Sequence, residues 1–270
     1  MTGMIAFLSD FGPGSPYVGQ VHAVIELLSG GKVKVVDLAH DIPSFSIHAG
    51  AYILYSSLRL FKRGTVFLVV VDPGVGSNRE PIAVQTRNYF FVGPNNGVLW
   101  PVIERDGFVK AVILDNDRFW LKPTSYTFHG RDIFAPAATM LALGVDIESL
   151  GSPLSIDRLV QLDIRRVREV DDGYCLDVIH IDKFGNVALS ATREDTILEN
   201  VCVDGHTIIC IRNDCIRAKC VKTFSEAKPG ELTVYYNSFD FVELAVYMGS
   251  AAEKLSITGG DEICMKRPRV

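Results

Sequence analysis

Long apolar runs are missing from this 270-residue sequence, and none approaches the ~18 residues that a membrane-spanning helix needs. An excess of positive charge is missing too. The formal net charge is -5, and no Lys/Arg block longer than a pair occurs before the closing Lys266-Arg267-Pro268-Arg269. Nucleic-acid and anionic-membrane partners therefore lose the electrostatic footprint they require. Metal-ligating patterns are scarce: there is no HxxxH or HExxH, and none of the six cysteines forms a CxxC pair or a Cys/His cluster at zinc spacing. Cys175, Cys202, Cys210, Cys215, Cys220 and Cys264 all fall in the C-terminal part. They read as reduced, structural thiols, with a disulfide between two of them tolerated if the host is a hyperthermophile. The N-terminal MTGMIAFLSDFG has no basic segment and no long apolar core, so it reads as a buried first strand and the cytoplasm as the compartment. Repeats and low-complexity tracts are absent.

What is present is the composition of a globular protein, 48% hydrophobic and 22% charged, at a length that suits two domains. The first half alternates apolar runs with amphipathic stretches: IAFLS then YVGQVHAVIELLSG, KVVDL then HAGAYILYSSLRLF, TVFLVVV, IAVQT, YFFVG and AVIL. Near-continuous Val/Ile/Leu strands of this kind belong in a sheet covered on both faces, so an α/β layered domain over residues 1–155 is expected. Its last helix is IFAPAATMLALG, with Pro136 early and Gly144 as the stop. From about Leu162 the pattern changes to short strands (YCLDVIHID, NVALSA, HTIICI, AKCVKTF, LTVYYNS, ELAVYMG) separated by Gly, Asn and Asp turns. That predicts a small antiparallel barrel or sandwich over 162–270, with 151–161 as the linker.

Parallel sheets gather ligand groups at the carboxyl ends of their strands, so polar residues directly after apolar runs are the first candidates. Asp10 follows the first strand; Asp37, His40 and Asp41 follow the second; Asp72 follows the third. Asp10, beside Gly12 and Gly14, suits a ribose diol as well as it suits a helix or turn cap. In DPGVGSNR, Pro73 stiffens a turn, Gly74 and Gly76 permit close backbone approach, and Arg79 can fold back onto Asp72. A structural salt bridge explains the same letters. In TFHGRDIFAP, His129, Gly130, Arg131 and Asp132 precede a helix, where an imidazole can be poised for proton transfer and Asp132 can act as an N-cap. His40 and His48 suit helix starts better than metal ligation. In the second half, Asp182, Phe184 and Asn186 occupy a tight turn, as do Asn237, Ser238 and Phe239; a phenyl ring can stack on a base while Asn reads its edge, and ordinary turn chemistry accounts for both.

Taken together, LSDFG–YVG, VVDLAHDIPSFSIHAGAYIL, VFLVVVDPGVGSNR, YFFVGPNNGVL, TFHGRDIFAPAA, IDKFGNV and NS–GSAAE resemble the S-adenosylmethionine hydrolases, the SAM hydroxide adenosyltransferase family, relatives of the fluorinating and chlorinating enzymes. The matching blocks run from Asp10 to Glu253. The resemblance implies a three-layer α/β/α sandwich with a mostly parallel sheet, a C-terminal antiparallel β-barrel, and a homotrimer with each active site between one subunit's first domain and a neighbour's second. It implies hydrolysis of S-adenosyl-L-methionine to adenosine and L-methionine, with Asp72, Arg79 and His129 activating water and no metal or dissociable cofactor. Asp10 would hold the ribose diol; Phe45, Thr127, Phe128 and Gly130 would line the pocket. Asp182 would meet the methionine end, with Phe184, Asn186, Ser238 and Phe239 around the methionine and adenine. One position departs: family members often carry Asp where Ser15 stands, so an acid able to hold the substrate's ammonium group is missing. Halogenating relatives place Tyr at the position of Asp72 and Ser at that of Gly130. A halogenase and a non-catalytic nucleoside sensor are the alternatives.

Overall fold

The computed structural model describes residues 3–212 and 214–268. Met1 and Thr2 of the expected first strand and Arg269 of the closing basic run lie outside them. The chain divides into two compact units, Met1–Asp163 and Ile164–Val270.

The first unit is built on a seven-stranded sheet of order β2-β1-β3-β5-β4-β6-β7. Its strands are β1 (Gly3–Ser9), β2 (Val33–Ala39), β3 (Val66–Val70), β4 (Pro81–Thr86), β5 (Phe90–Pro94), β6 (Phe108–Ile113) and β7 (Ser152–Leu154). β2, β1, β3 and β5 are parallel neighbours; β4 and β7 run antiparallel to the strands beside them. Every residue of β3 is buried, as a central strand covered on both faces requires. Successive side chains alternate between those faces. Ile5, Phe7, Val66, Leu68 and Val70 join one core with α1 (Pro16–Ser29) and α4 (Ala135–Ala142). On the opposite face α2 (Ile47–Ser57) packs beside α3 (Trp100–Asp106). Gly50 lets α2 come close to the sheet, since a Cβ there would stand 3.0 Å from Val71, the residue after β3. The result is the three-layer sandwich.

Local signals set the helix ends. Ser15 caps α1 by accepting from the Tyr17 N–H, Pro16 opens the helix, and Gly30 closes it in the left-handed region. Gly144, at φ 93°, ends the segment after α4. The segment read as a linker is instead part of this unit. β7 extends the sheet along β6, Leu154 and Leu159 are buried, and Asn95 holds the following strap through the Arg158 carbonyl (3.0 Å) and Val160 N–H (2.9 Å).

The second unit contains β8 (Val167–Val170), β9 (Gly173–Ile181), β10 (Val187–Thr192), β11 (His206–Ile211), β12 (Asp214–Cys220), β13 (Leu232–Tyr236), β14 (Phe241–Val246) and β15 (Glu262–Lys266). The order β10-β14-β13-β12-β11-β15-β9 closes through a β9–β10 pairing into a seven-stranded barrel, with β8 along the first half of β9. Its pairings are antiparallel except β12–β13, which is parallel. Leu176, Val187, Leu189, Ile209, Val234, Leu244 and Met265 fill the interior.

The cysteines are not reduced. Cys175–Cys264, Cys202–Cys220 and Cys210–Cys215 are all disulfides, so pairing extends to all six. The expectation of free thiols rested on sequence spacing, and two of the three bonds form between residues set opposite each other by strand register. Among the described residues no helix is long and apolar enough to cross a membrane.

Candidate active site

In the first unit the carboxyl ends of β1 and β3 lie side by side, with Ser9 opposite Val70, which brings Asp10 next to the segment carrying Asp72. His129 arrives from the loop that leads into a π-helical turn, Gly130–Phe134, ahead of α4. Together they border a cavity of about 260 Å³. Asp10, Phe45, Asp72, Thr127, Phe128, His129 and Gly130 all line it, whereas Arg79 stands behind Asp72. Sequence reasoning missed Phe11, Tyr17, Ser44, Val70 and Val75, which complete the lining. Phe11, Tyr17 and Phe128 form an aromatic wall with ring centroids 5.1–5.7 Å apart. Such edge-on and tilted contacts present apolar surface to a ligand at little conformational cost.

Asp72 and Arg79 form a two-pronged ion pair. The Arg79 Nε donates to Asp72 Oδ1 at 3.0 Å, and Nη2 donates to Oδ2. The two side chains are only 5% and 7% exposed, so this is a desolvated pair and not a surface bridge. The same Nη2 donates to His129 Nδ1 at 3.2 Å. Guanidinium has no lone pair to offer, so Nδ1 must be the acceptor and the neutral imidazole carries its proton on Nε2. Arg79 also stacks over Phe134, 5.2 Å from the ring centroid. Burial raises the Asp72 carboxyl above its ordinary value, opposed by the charge and hydrogen bonds of Arg79. Burial, and then the Arg79 charge, lower that of His129. The salt-bridge reading of DPGVGSNR is thus correct in itself; what the fold adds is an imidazole on the same guanidinium and a cavity in front of all three.

The other first-unit candidates have distinct partners. Asp10 caps neither α1 nor its own turn: one carboxylate oxygen accepts the Phe45 N–H at 2.8 Å. It thereby fixes Phe45 at φ 68° with its ring 70% exposed. Ser15 is spent as the cap of α1. His40 is no helix-start residue: its Nδ1 meets Ser9 Oγ at 2.7 Å, and Asp37 lies between His40 and His22. Asp132 is no N-cap either. Fully buried, it accepts from the Ser125 N–H and from Arg131, pinning the loop that carries Thr127, Phe128 and His129. Gly130 sits where a Cβ would meet Val70 at 3.1 Å and Phe11 at 3.3 Å.

In the second unit Asp182 organises its turn, accepting from the N–H groups of Phe184 and Asn186 (2.9 Å each) and from the Asn186 amide (3.0 Å). Phe184 is left 65% exposed beside a groove that Asp182, Asn186 and Ser250 also line. Asn237 does the same for the next turn. Its Oδ1 accepts from the Phe239 and Phe241 N–H groups, and its amide donates to the half-buried Glu243 at 2.8 Å. Ser238 and Phe239 lie on that turn and not on the groove. Glu243 escaped sequence reasoning because nothing in its strand marks it.

A sandwich with acidic and imidazole groups converging beyond the strand ends, followed by a barrel with exposed aromatic turns, defines a two-unit enzyme acting on a small molecule. Comparison with known proteins makes the class specific. Models of the SAM hydroxide adenosyltransferase N-terminal and C-terminal domains match residues 5–151 and 176–264. The chain belongs to that family. It is 36% identical, over 97% of both chains, to an (R)-S-adenosyl-L-methionine hydrolase of Salinispora tropica. It is also 36% identical to one of Thermus thermophilus, over 95% of this chain and 96% of that one. A fluorinase of Actinoplanes is 27% identical over 90% of each chain, a related branch. Among solved structures, an uncharacterized conserved protein from Thermotoga maritima superposes with a TM-score of 0.90 at 36% identity, covering 98% of this chain and all of that one.

Proposed function

We propose that this protein hydrolyses S-adenosyl-L-methionine to adenosine and L-methionine by in-line attack of water on the ribose 5′ carbon. The observation that carries the proposal is the buried Asp72–Arg79–His129 set opening on an aromatic cavity. Water's oxygen bonds to carbon while the carbon–sulfur bond breaks, and its electron pair neutralises the sulfonium. A neutral thioether leaves, so no acid, metal or dissociable cofactor is needed to assist it. Only the nucleophile needs help.

Asp72 is the proton acceptor: Arg79 and the Gly74 N–H leave one lone-pair position of the carboxylate for water, and a carboxyl raised by burial is a better base than a free one. His129, with its proton on Nε2, donates to the water and aims it. Arg79 holds both groups in place. A carboxylate facing the cavity disfavours a halide there, which sets this chain apart from halogenating chemistry. Asp10 keeps one oxygen clear of its bond to Phe45 for the ribose diol.

For the assembly we propose a homotrimer in which Phe184, Asn186, Ser238 and Phe239 of one subunit complete the first-unit cavity of a neighbour. The exposed rings of Phe45 and Phe184 support this. For the compartment we propose the cytoplasm, where three disulfides match the disulfide-rich proteins of hyperthermophiles.

The test is incubation of purified protein with S-adenosyl-L-methionine and chromatographic assay of adenosine, with Asp72→Ala in parallel. The wild type should release adenosine, and the variant should lose about 10²–10⁴-fold in rate. A wild type that binds but releases none is a sensor; a variant that keeps most of its activity removes Asp72 from the mechanism.

A further inference from the structure

Four of the six cysteines stand in one row across four neighbouring strands. Cys175 on β9 is opposite Cys264 on β15, Cys264 is opposite Cys210 on β11, and Cys210 is opposite Cys215 on β12. Directly opposed residues project to the same side of a sheet. Their strand neighbours Leu176, Ile209, Ile211, Ile263 and Met265 fill the barrel core, so the sulfurs lie on its outer surface. Glu262, two residues before Cys264, shares that face, and its carboxylate lies within 4.8 Å of the sulfurs of both Cys175 and Cys264. Arg168 on β8 continues the row opposite Cys175, with its guanidinium 2.6 Å from Glu262.

Such a row has two chemical states. Oxidised, it is two disulfides that staple β9 to β15 and β11 to β12. Reduced, it offers thiolates side by side with a carboxylate, the donor set that zinc-class ions take in tetrahedral sites. Cys264 is half-buried and Glu262 exposed, which gives reductant and ion an approach, while Cys175 itself is only 3% exposed. Sequence spacing concealed the arrangement because Cys175 on β9 stands 89 residues from Cys264 on β15.

We propose that this row is a redox-gated site for a soft divalent cation: once a dithiol has reduced Cys175–Cys264, those two thiolates and Glu262 hold one zinc-class ion, and reoxidation by a small-molecule disulfide, which takes the two electrons and leaves as two thiols, expels it. On reduction the protein disulfide takes two electrons and two protons from the dithiol, which leaves as its own disulfide. The ion then displaces protons from the thiols that ligate it. Cys202–Cys220 lies outside the row and serves as an internal control.

The experiment uses the full chain, reduced anaerobically with dithiothreitol, desalted and titrated with Cd(II), whose bonds to thiolate give an ultraviolet charge-transfer band. The band should saturate at a single ion per chain, be absent before reduction, disappear in Cys264→Ser and persist in the double variant Cys202→Ser, Cys220→Ser. Circular dichroism of the same samples should retain the β signal of the barrel. No band in reduced, folded protein overturns the proposal; so does a band that survives Cys264→Ser, or loss of the β signal on reduction.

Discussion

At the scale of single residues, Asp72 and His129 have been moved towards each other on the pH axis. The carboxyl is raised above 3.8 and the imidazole lowered below 6.5, burial being the larger cause in each. The proposed reaction needs Asp72 ionised and His129 neutral, so the rate should fall on acidification, with the acid limb above the 3.8 of an ordinary aspartate. Neither shift favours the fold in the reactive form. The raised Asp72 costs stability as pH rises from 3.8 through its folded value; the lowered His129 costs stability as pH falls below 6.5. Arg79 lowers both groups, so Arg79→Gln should move the acid limb of the pH–rate profile upward while reducing the rate. A limb that stays in place would show that Arg79 does not set these ionisations.

At the scale of elements, the loop ahead of α4 is held by a single buried side chain. Asp132 accepts from the Ser125 N–H at 2.8 Å and pairs with Arg131, and its own carbonyl accepts the Leu121 N–H at 2.8 Å. Removing this carboxylate leaves the Ser125 N–H without its acceptor, about 1–3 kcal/mol, while Arg131, 28% exposed, keeps Gln20 and solvent as partners. Asp132→Ala should therefore lower the unfolding free energy by that much, read as a lower denaturant midpoint, and loosen Thr127, Phe128 and His129 together. An unchanged midpoint would mean that the loop is held elsewhere. The same scale explains what could be read beforehand. β1, β3 and α1 were legible because unbroken Val/Ile/Leu runs and the amphipathic stretch YVGQVHAVIELLSG act locally. α3, seven residues opening on Trp100-Pro101, and the short β8 and β15 carry too little periodicity to stand out. Asp72 and His129 were legible because strand ends in a parallel sheet converge. Phe11, Tyr17 and Val75 were not, because the side of a loop that faces a cavity is decided only by the fold.

At the scale of the whole molecule, long-range register supplied what the sequence withheld. Cys175 and Cys264 are 89 residues apart and meet only because β9 and β15 pair. The proposed trimer is a question of the same kind, since it asks whether two turns of the barrel serve a cavity on another copy. Complementation answers it. Asp72→Ala disables a first unit, and the double variant Phe184→Ala, Asn186→Ala disables a second unit without touching Asp72. Each alone should be nearly inactive. If sites form between subunits, co-expressed chains that mix at random should regain roughly a quarter of wild-type activity, because that share of sites joins an intact first unit to an intact second unit. If every site lies within one chain, mixing restores nothing, and the barrel turns must then act on the cavity of their own subunit.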